Sequence, residues 1–183
     1  DQKARVVVSI AGETIEEYST LARKIRSASG ISALEVNISC PNVSHGLDYA
    51  TDPQLAASVV AAVRKVTSMP VIAKLSPNVT DIRVIAKACE DAGADALSMI
   101  NTVVGTAIDP RKRKFRLANI TGGLSGPAVK PIALNMVAEI ARSAATRGLP
   151  ISGIGGVTTW RDAAEFMALG AGNVQVCTAA MTY

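Results

Sequence analysis

Short runs of β-branched residues alternate with amphipathic helical stretches along this whole chain, and that alternation constrains the fold more than any single motif. Val6 to Ile10 reads as a strand and Glu13 to Ala28 as a helix. Ala33 to Ile38 is the next strand, followed by a helix from Pro53 to Val66 that Thr51 or Asp52 can cap. Val71 to Leu75 lies between two prolines as a third strand, and Asp81 to Ala92 forms a helix that stops at Gly93. Ala96 to Ile100 is a strand, with a long connection after it through Lys130. Pro131 opens a helix to about Arg147, since proline suits a first helical turn. Pro150 to Gly153, Trp160 to Leu169 and Asn173 to Val176 complete the order as strand, helix and strand.

Six strands and five helices in β-α alternation imply a parallel sheet joined by right-handed crossovers. The composition agrees: 49% of the 183 residues are hydrophobic but only 3% aromatic, as buried Val/Ile-rich strands under Ala-rich helices require. An open doubly wound sheet and a barrel both satisfy the pattern. No GxGxxG follows the first strand, which removes the main signature of a dinucleotide-binding open sheet. Glycine and polar residues gather instead after nearly every strand, at Gly12, Ser39-Cys40, Ser76, Asn101-Thr102, Gly155-Gly156 and Cys177-Thr178. An α/β fold of the (β/α)8 TIM-barrel type builds its site from many such strand ends. A closed barrel needs eight strands. The expectation is therefore one incomplete barrel domain over 1–183, with two N-terminal strands and the last helix outside the chain and with open sheet edges.

Several function classes are set aside by composition. Three cysteines without CxxC spacing and a single histidine, His45, give no credible metal set. No apolar run approaches the ~20 residues of a membrane span, and the start does not lead a signal peptide, so a cytoplasmic protein with no membrane partner is expected. The net charge of +4 comes from 19 basic and 15 acidic residues. Its one dense run, Arg111 to Lys114 with Arg116, reads as a solvated loop or an interface rather than a nucleic-acid site, because only Phe115 is near enough to stack on a base.

Four places can carry chemistry. In Asn37-Ile38-Ser39-Cys40-Pro41-Asn42, two amides and a thiol converge at a strand end, and amides so spaced can donate to and accept from a planar imide. Cys40 can serve there as nucleophile or base, although a free thiol has a pKa of about 8.5, or it can be a buried structural cysteine. Lys74 interrupts the apolar strand Val71-Ile72-Ala73-Lys74-Leu75; such a lysine meets an anion, faces a cavity or emerges into water. Asn101-Thr102 supplies a further amide at a strand end. Thr121 to Gly126 is glycine-rich enough to admit a ligand to the backbone, or to form a flexible turn. Finally, Gly153-Ile154-Gly155-Gly156 and Cys177-Thr178 would end barrel strands seven and eight, the frequent phosphate site of this architecture. Cys89 reads as a core residue and Trp160 as a packing anchor.

Together, the Asn37–Asn42 segment, Ala73-Lys74-Leu75-Ser76-Pro77-Asn78, Ile100-Asn101-Thr102, Gly122-Gly123-Leu124-Ser125-Gly126-Pro127 and the two terminal motifs resemble the class 1 dihydroorotate dehydrogenases over essentially the whole chain. The resemblance is to the NAD-linked branch, which pairs an FMN barrel with an iron–sulfur and FAD subunit. From about Pro127 onward the chain also resembles the FMN-containing subunit of bacterial dihydropyrimidine dehydrogenase. The resemblance implies a dihydropyrimidine substrate, dihydroorotate, with uracil or thymine reduction as the alternative and an inactive barrel fragment as a further one. It implies that Cys40 removes the C5 proton while hydride passes from C6 to FMN N5. Asn37, Asn42, Asn101 and Thr102 would hold the pyrimidine and its carboxylate, and Lys74 would contact the flavin ring. Gly126, Gly155, Gly156, Cys177 and Thr178 would surround the ribityl phosphate. A homodimer and an electron-transfer subunit are the implied partners.

Overall fold

A computed structural model of the chain describes residues 4–39, 46–146 and 148–182. Its first elements are β1 (Val6–Ile10), α1 (Ile15–Ile25), β2 (Ile31–Asn37), α2 (Gly46–Thr51), α3 (Pro53–Arg64), β3 (Val71–Leu75), α4 (Ile82–Asp91) and β4 (Ala96–Met99), the expected order with the short helix α2 added where no helix was expected. The three long helices of this stretch, α1, α3 and α4, each start where a side chain can accept free amides. Thr14 accepts from the amide of Glu17, Asp52 from those of Gln54 and Leu55, and Asp81 from that of Arg83.

The connection after β4 carries structure that the alternation does not reveal. β5 (Val103–Thr106) pairs antiparallel with β8 (Thr121–Leu124), and β6 (Ile108–Asp109) with β7 (Lys114–Phe115), so the chain leaves the sheet and returns as a nested hairpin. These strands are only two to four residues long and glycine-poor in signal at their turns, which hides them from a periodicity reading. The basic run caps this hairpin and is fully exposed. A single 3-10 turn (Pro127–Val129) then leads into α5 (Lys130–Ala141), with Pro131 in the first turn as expected. The helix ends at Ala141, short of the expected Arg147, because Ser143 and Thr146 compete for the backbone: the Thr146 hydroxyl donates to the carbonyls of Ile140 and Ser143. β9 (Ile151–Ile154), α6 (Trp160–Ala168), β10 (Asn173–Gln175) and α7 (Thr178–Thr182) complete the chain.

The six strands β1, β2, β3, β4, β9 and β10 form one wholly parallel sheet in sequence order. Sequential parallel strands with right-handed crossovers put every helix on the same side, and the sheet curls as part of a TIM barrel. β1 and β10 are its two edges, and Val6 and Val7 on β1 are each 48% exposed. The main apolar layer lies between sheet and helices. Leu34, Val36, Ala73, Leu75, Leu97 and Met99 from the strands meet Val59, Val60, Val63, Ile85 and Val137 from the helices, all buried. Alternation then sends the intervening residues, Ser9, Glu35, Lys74, Ser98 and Ser152, to the barrel interior. Among the described residues no helix is long and apolar enough to cross a membrane.

Two packing expectations resolve differently. Cys89 is a core residue as expected, and burial pushes its thiol up to about 12, too high to ionise near neutrality. Trp160 is not an anchor. It is 75% exposed at the first turn of α6, with the Arg161 guanidinium 5.4 Å from its ring. The anchoring aromatic is Phe166, two turns on, which is fully buried and fills the space over Gly153, where any side chain would come within 2.6 Å of the ring.

Candidate functional site

The carboxyl ends of the strands surround a cavity of about 430 Å³. Eight of the residues expected to act line it. Lys74, Asn101 and Thr102 come from the ends of β3 and β4, Gly126 from the turn after β8, and Gly155, Gly156, Cys177 and Thr178 from the ends of β9 and β10. Residues spread over more than a hundred positions of sequence thus converge on one concave surface. Gly123 shows how tightly the wall is built: a Cβ there would come within 2.2 Å of the Thr102 hydroxyl.

Asn37 is brought to the same rim without lining the cavity. Its side-chain oxygen accepts from Asn101 Nδ2 at 3.0 Å, and the same Asn101 amide also donates to the Ser39 carbonyl at 3.1 Å and to Ser39 Oγ at 2.7 Å. Asn101 Oδ1 accepts from the Thr102 amide at 2.8 Å, so this side chain locks the end of β2 to the end of β4. Asn78 makes a second tie. It donates to the Thr102 carbonyl at 3.1 Å and accepts from the Val104 amide at 2.9 Å, holding the loop after β3 against the hairpin. Cys40 and Asn42 lie outside the described residues, as does His45.

The glycine loops have the geometry of a backbone-lined pocket. Gly126, Gly155 and Gly156 adopt φ of +83°, +130° and +70°, conformations that L side chains rarely reach. A Cβ on Gly156 would lie 2.6 Å from the Gly126 carbonyl oxygen, and one on Gly155 would lie 2.9 Å from Ala133 Cβ. Only glycine lets these loops meet α5 and each other this closely.

Behind them, Asp162 fixes the entry of α6. Lys130 Nζ reaches its carboxylate at 2.6 Å, and the amides of Thr158 and Thr159 donate to it at 3.0 and 2.7 Å. The Lys130 contact, with those amides, holds the Asp162 carboxyl well below the usual carboxylate range. A carboxyl depressed in the folded state stabilises above its unfolded pKa, about 3.9, and that contribution is lost as pH falls below it. Asp162→Asn should therefore lower the melting temperature near neutral pH, with the gap to the parent closing below about pH 4 in thermal melts. A gap that stays constant down to acid would show that the carboxylate's charge is not what holds the loop.

Sequence reasoning missed the floor of the site. Glu35 is 5% exposed inside the barrel, accepts from Ser98 Oγ at 2.6 Å and Ser9 Oγ at 2.9 Å, and lies 3.7 Å from Lys74 Nζ. Burial raises its pKa, but the Ser98 hydrogen bond, the Lys74 charge and the Ser9 and Gln175 hydrogen bonds together hold it below its ordinary value. Gln175 lines the cavity and donates to Ser98 Oγ at 2.8 Å and Ser152 Oγ at 3.0 Å. The signal for Glu35 was present: a carboxylate inside Ala33-Leu34-Glu35-Val36 is as anomalous as the lysine in β3. The expectation that Lys74 meets an anion or faces a cavity is met on both counts.

A family model described as dihydroorotate dehydrogenase matches residues 1–183. Over 175 residues the chain is 58% identical to the catalytic subunit of dihydroorotate dehydrogenase B (NAD(+)) of Geobacter sulfurreducens, covering 95% of this chain and 56% of that one. The corresponding subunit of Citrifermentans bemidjiense is 55% identical with the same coverage, so the chain spans little more than half the length of these relatives. A crystal structure of DHODH from Eimeria tenella in complex with ferulenol superimposes with a TM-score of 0.75 at 21% identity, over 93% of this chain and 50% of that one; it supports the fold.

Proposed function

The chain belongs to the dihydroorotate dehydrogenase family, and from that premise we propose that it contributes most of the catalytic barrel of an FMN-dependent enzyme oxidising dihydroorotate to orotate. The observation that carries the proposal is the convergence of Lys74, Asn101, Thr102 and three glycines at positive φ on one cavity at the carboxyl ends of the strands. FMN, when bound, supplies the acceptor for the hydride that leaves C6 of the substrate.

The cavity's donor set fits such a group. Gly126, Gly155 and Gly156 leave room for backbone to approach a phosphate, with Cys177 and Thr178 completing that end. Lys74 sets a positive charge in the wall from β3, two strands away from β9, where an anion-stabilising group suits a ring that gains electron density. Asn101 and Thr102 follow β4, the strand between β3 and β9, and with Asn37 and Asn42 they would orient the pyrimidine and its carboxylate. Cys40 would take the C5 proton. The name of the relatives, a catalytic subunit linked to NAD(+), supports a separate electron-transfer subunit as partner; the FAD and iron–sulfur centre of that subunit, and a homodimer of barrels, rest on the sequence resemblance alone.

The test uses a chain extended to the length of the relatives, purified anaerobically, with the flavin absorbance followed after adding dihydroorotate or dihydrouracil. Bleaching by dihydroorotate alone is the expected result. A site built for the substrate carboxylate rejects an analogue lacking it, because its polar partners stay unpaired. Bleaching by dihydrouracil alone, or a complete barrel without flavin, would overturn the proposal.

A further inference from the structure

Six strands each contribute one side chain to a single polar layer beneath the cavity. Ser9 comes from β1, Glu35 from β2, Lys74 from β3, Ser98 from β4, Ser152 from β9 and Gln175 from β10. Glu35 is its hub, accepting from Ser9, Ser98 and Gln175 and facing the Lys74 ammonium at 3.7 Å. Lys74 and Gln175 line the cavity, whereas Glu35 does not. A carboxylate in this position is costly unless its oxygens are hydrogen-bonded and a cation lies near, and here three hydrogen bonds reach its two oxygens with the Lys74 ammonium beside them. The burial decides which partner directs the other. Glu35 is held from several strands at once, while the Lys74 chain is longer and its ammonium end is free to move without that anchor.

We propose that Glu35 is a positioning residue: its carboxylate holds the Lys74 ammonium and the Gln175 amide at the cavity floor and offsets the positive charge that a flavin above them meets. The inference rests on the flavin assignment made above, because the charge it describes is read by that ring. With the carboxylate made neutral, Lys74 faces the cavity uncompensated, and the added positive potential favours the electron-rich form of any ring bound there.

The experiment measures the flavin midpoint potential of the whole holoenzyme, anaerobically, for the parent, Glu35→Gln and Glu35→Asp. Glu35→Gln is expected to retain flavin and shift its oxidised-to-reduced ratio about tenfold toward the reduced form, a rise of about 30 mV for a two-electron couple. Glu35→Asp keeps the charge but withdraws it by one methylene, so its potential should fall between the two; it also serves if Glu35→Gln does not fold. Potentials equal to the parent's in the variants that fold, with only a lowered melting temperature, would assign Glu35 a purely structural role. A second readout does not need flavin: melting temperatures of Glu35→Gln, Lys74→Met and the double variant. Lys74→Met should cost less in the Glu35→Gln background, since no buried anion is then stranded. Additive shifts would overturn the hold of Glu35 on Lys74. A protein without flavin but with non-additive shifts would sink the functional assignment while leaving that hold intact.

Discussion

Replacing Cys40 by alanine is expected to leave flavin bound and to lower turnover with dihydroorotate by about 10²–10⁴-fold, the usual contribution of a general base. The thiol would act on the C5 proton, and neither Cys89 nor Glu35 offers an equivalent. Cys89 is fully buried with its thiol pushed up to about 12, and the Glu35 carboxylate is occupied by Ser9, Ser98 and Lys74 below the cavity. Ser39, the residue before it in sequence, is bonded through its carbonyl and hydroxyl to Asn101, which lines the cavity. Anaerobic stopped-flow mixing separates the possibilities, because flavin absorbance reports binding and its bleaching reports chemistry. Cys89→Ala is the control, expected to cost stability and spare turnover. Unchanged turnover in Cys40→Ala would remove this residue as the base.

The second large effect concerns stability. Phe166→Ala should cost about 3–5 kcal/mol, as deletion of a buried aromatic ring does. That is a large fraction of the 5–15 kcal/mol by which domains are typically stable. Phe166 is 0% exposed and its ring closes the space over Gly153 in β9, which has no side chain to fill the void. The loss should register as a fall in melting temperature of roughly 6–20 °C for a protein of this size. Since Gly153 directly precedes the Ile154-Gly155-Gly156 turn, ligand affinity at that end of the cavity should weaken too. Trp160→Ala, in the same helix, removes a side chain that is 75% exposed, and its stacking on Arg161 is worth no more than about 1 kcal/mol. A larger loss from Trp160→Ala than from Phe166→Ala would mean that the sequence expectation for Trp160 was the better guide.

Much of the site was legible because its signals are local. A lysine inside Val71 to Leu75 breaks an apolar strand, and the pairing of Gly155-Gly156 with Cys177-Thr178 follows from two successive strand ends; both came to line one cavity. The hairpin after β4 was not legible, since strands of two to four residues leave no periodicity to detect. Trp160 misled for a related reason. Size argues for burial, but which face of α6 meets the sheet is set by packing, and that face carries Phe166.

The alternation of the six sheet strands with the five longer helices, the cap at Asp52 and the parallel sheet were determined by the sequence itself. Period and capping depend on residues within a few positions of one another, so no fold is needed to read them. The partners of Glu35 were decided only by tertiary structure. Ser9, Lys74, Ser98 and Gln175 lie 26 to 140 positions from it, and nothing local distinguishes these serines from solvated ones. Curling six strands into a barrel wall turns their alternate residues inward at one level, and a buried carboxylate then holds them together because leaving it unpaired would cost more than ordering them.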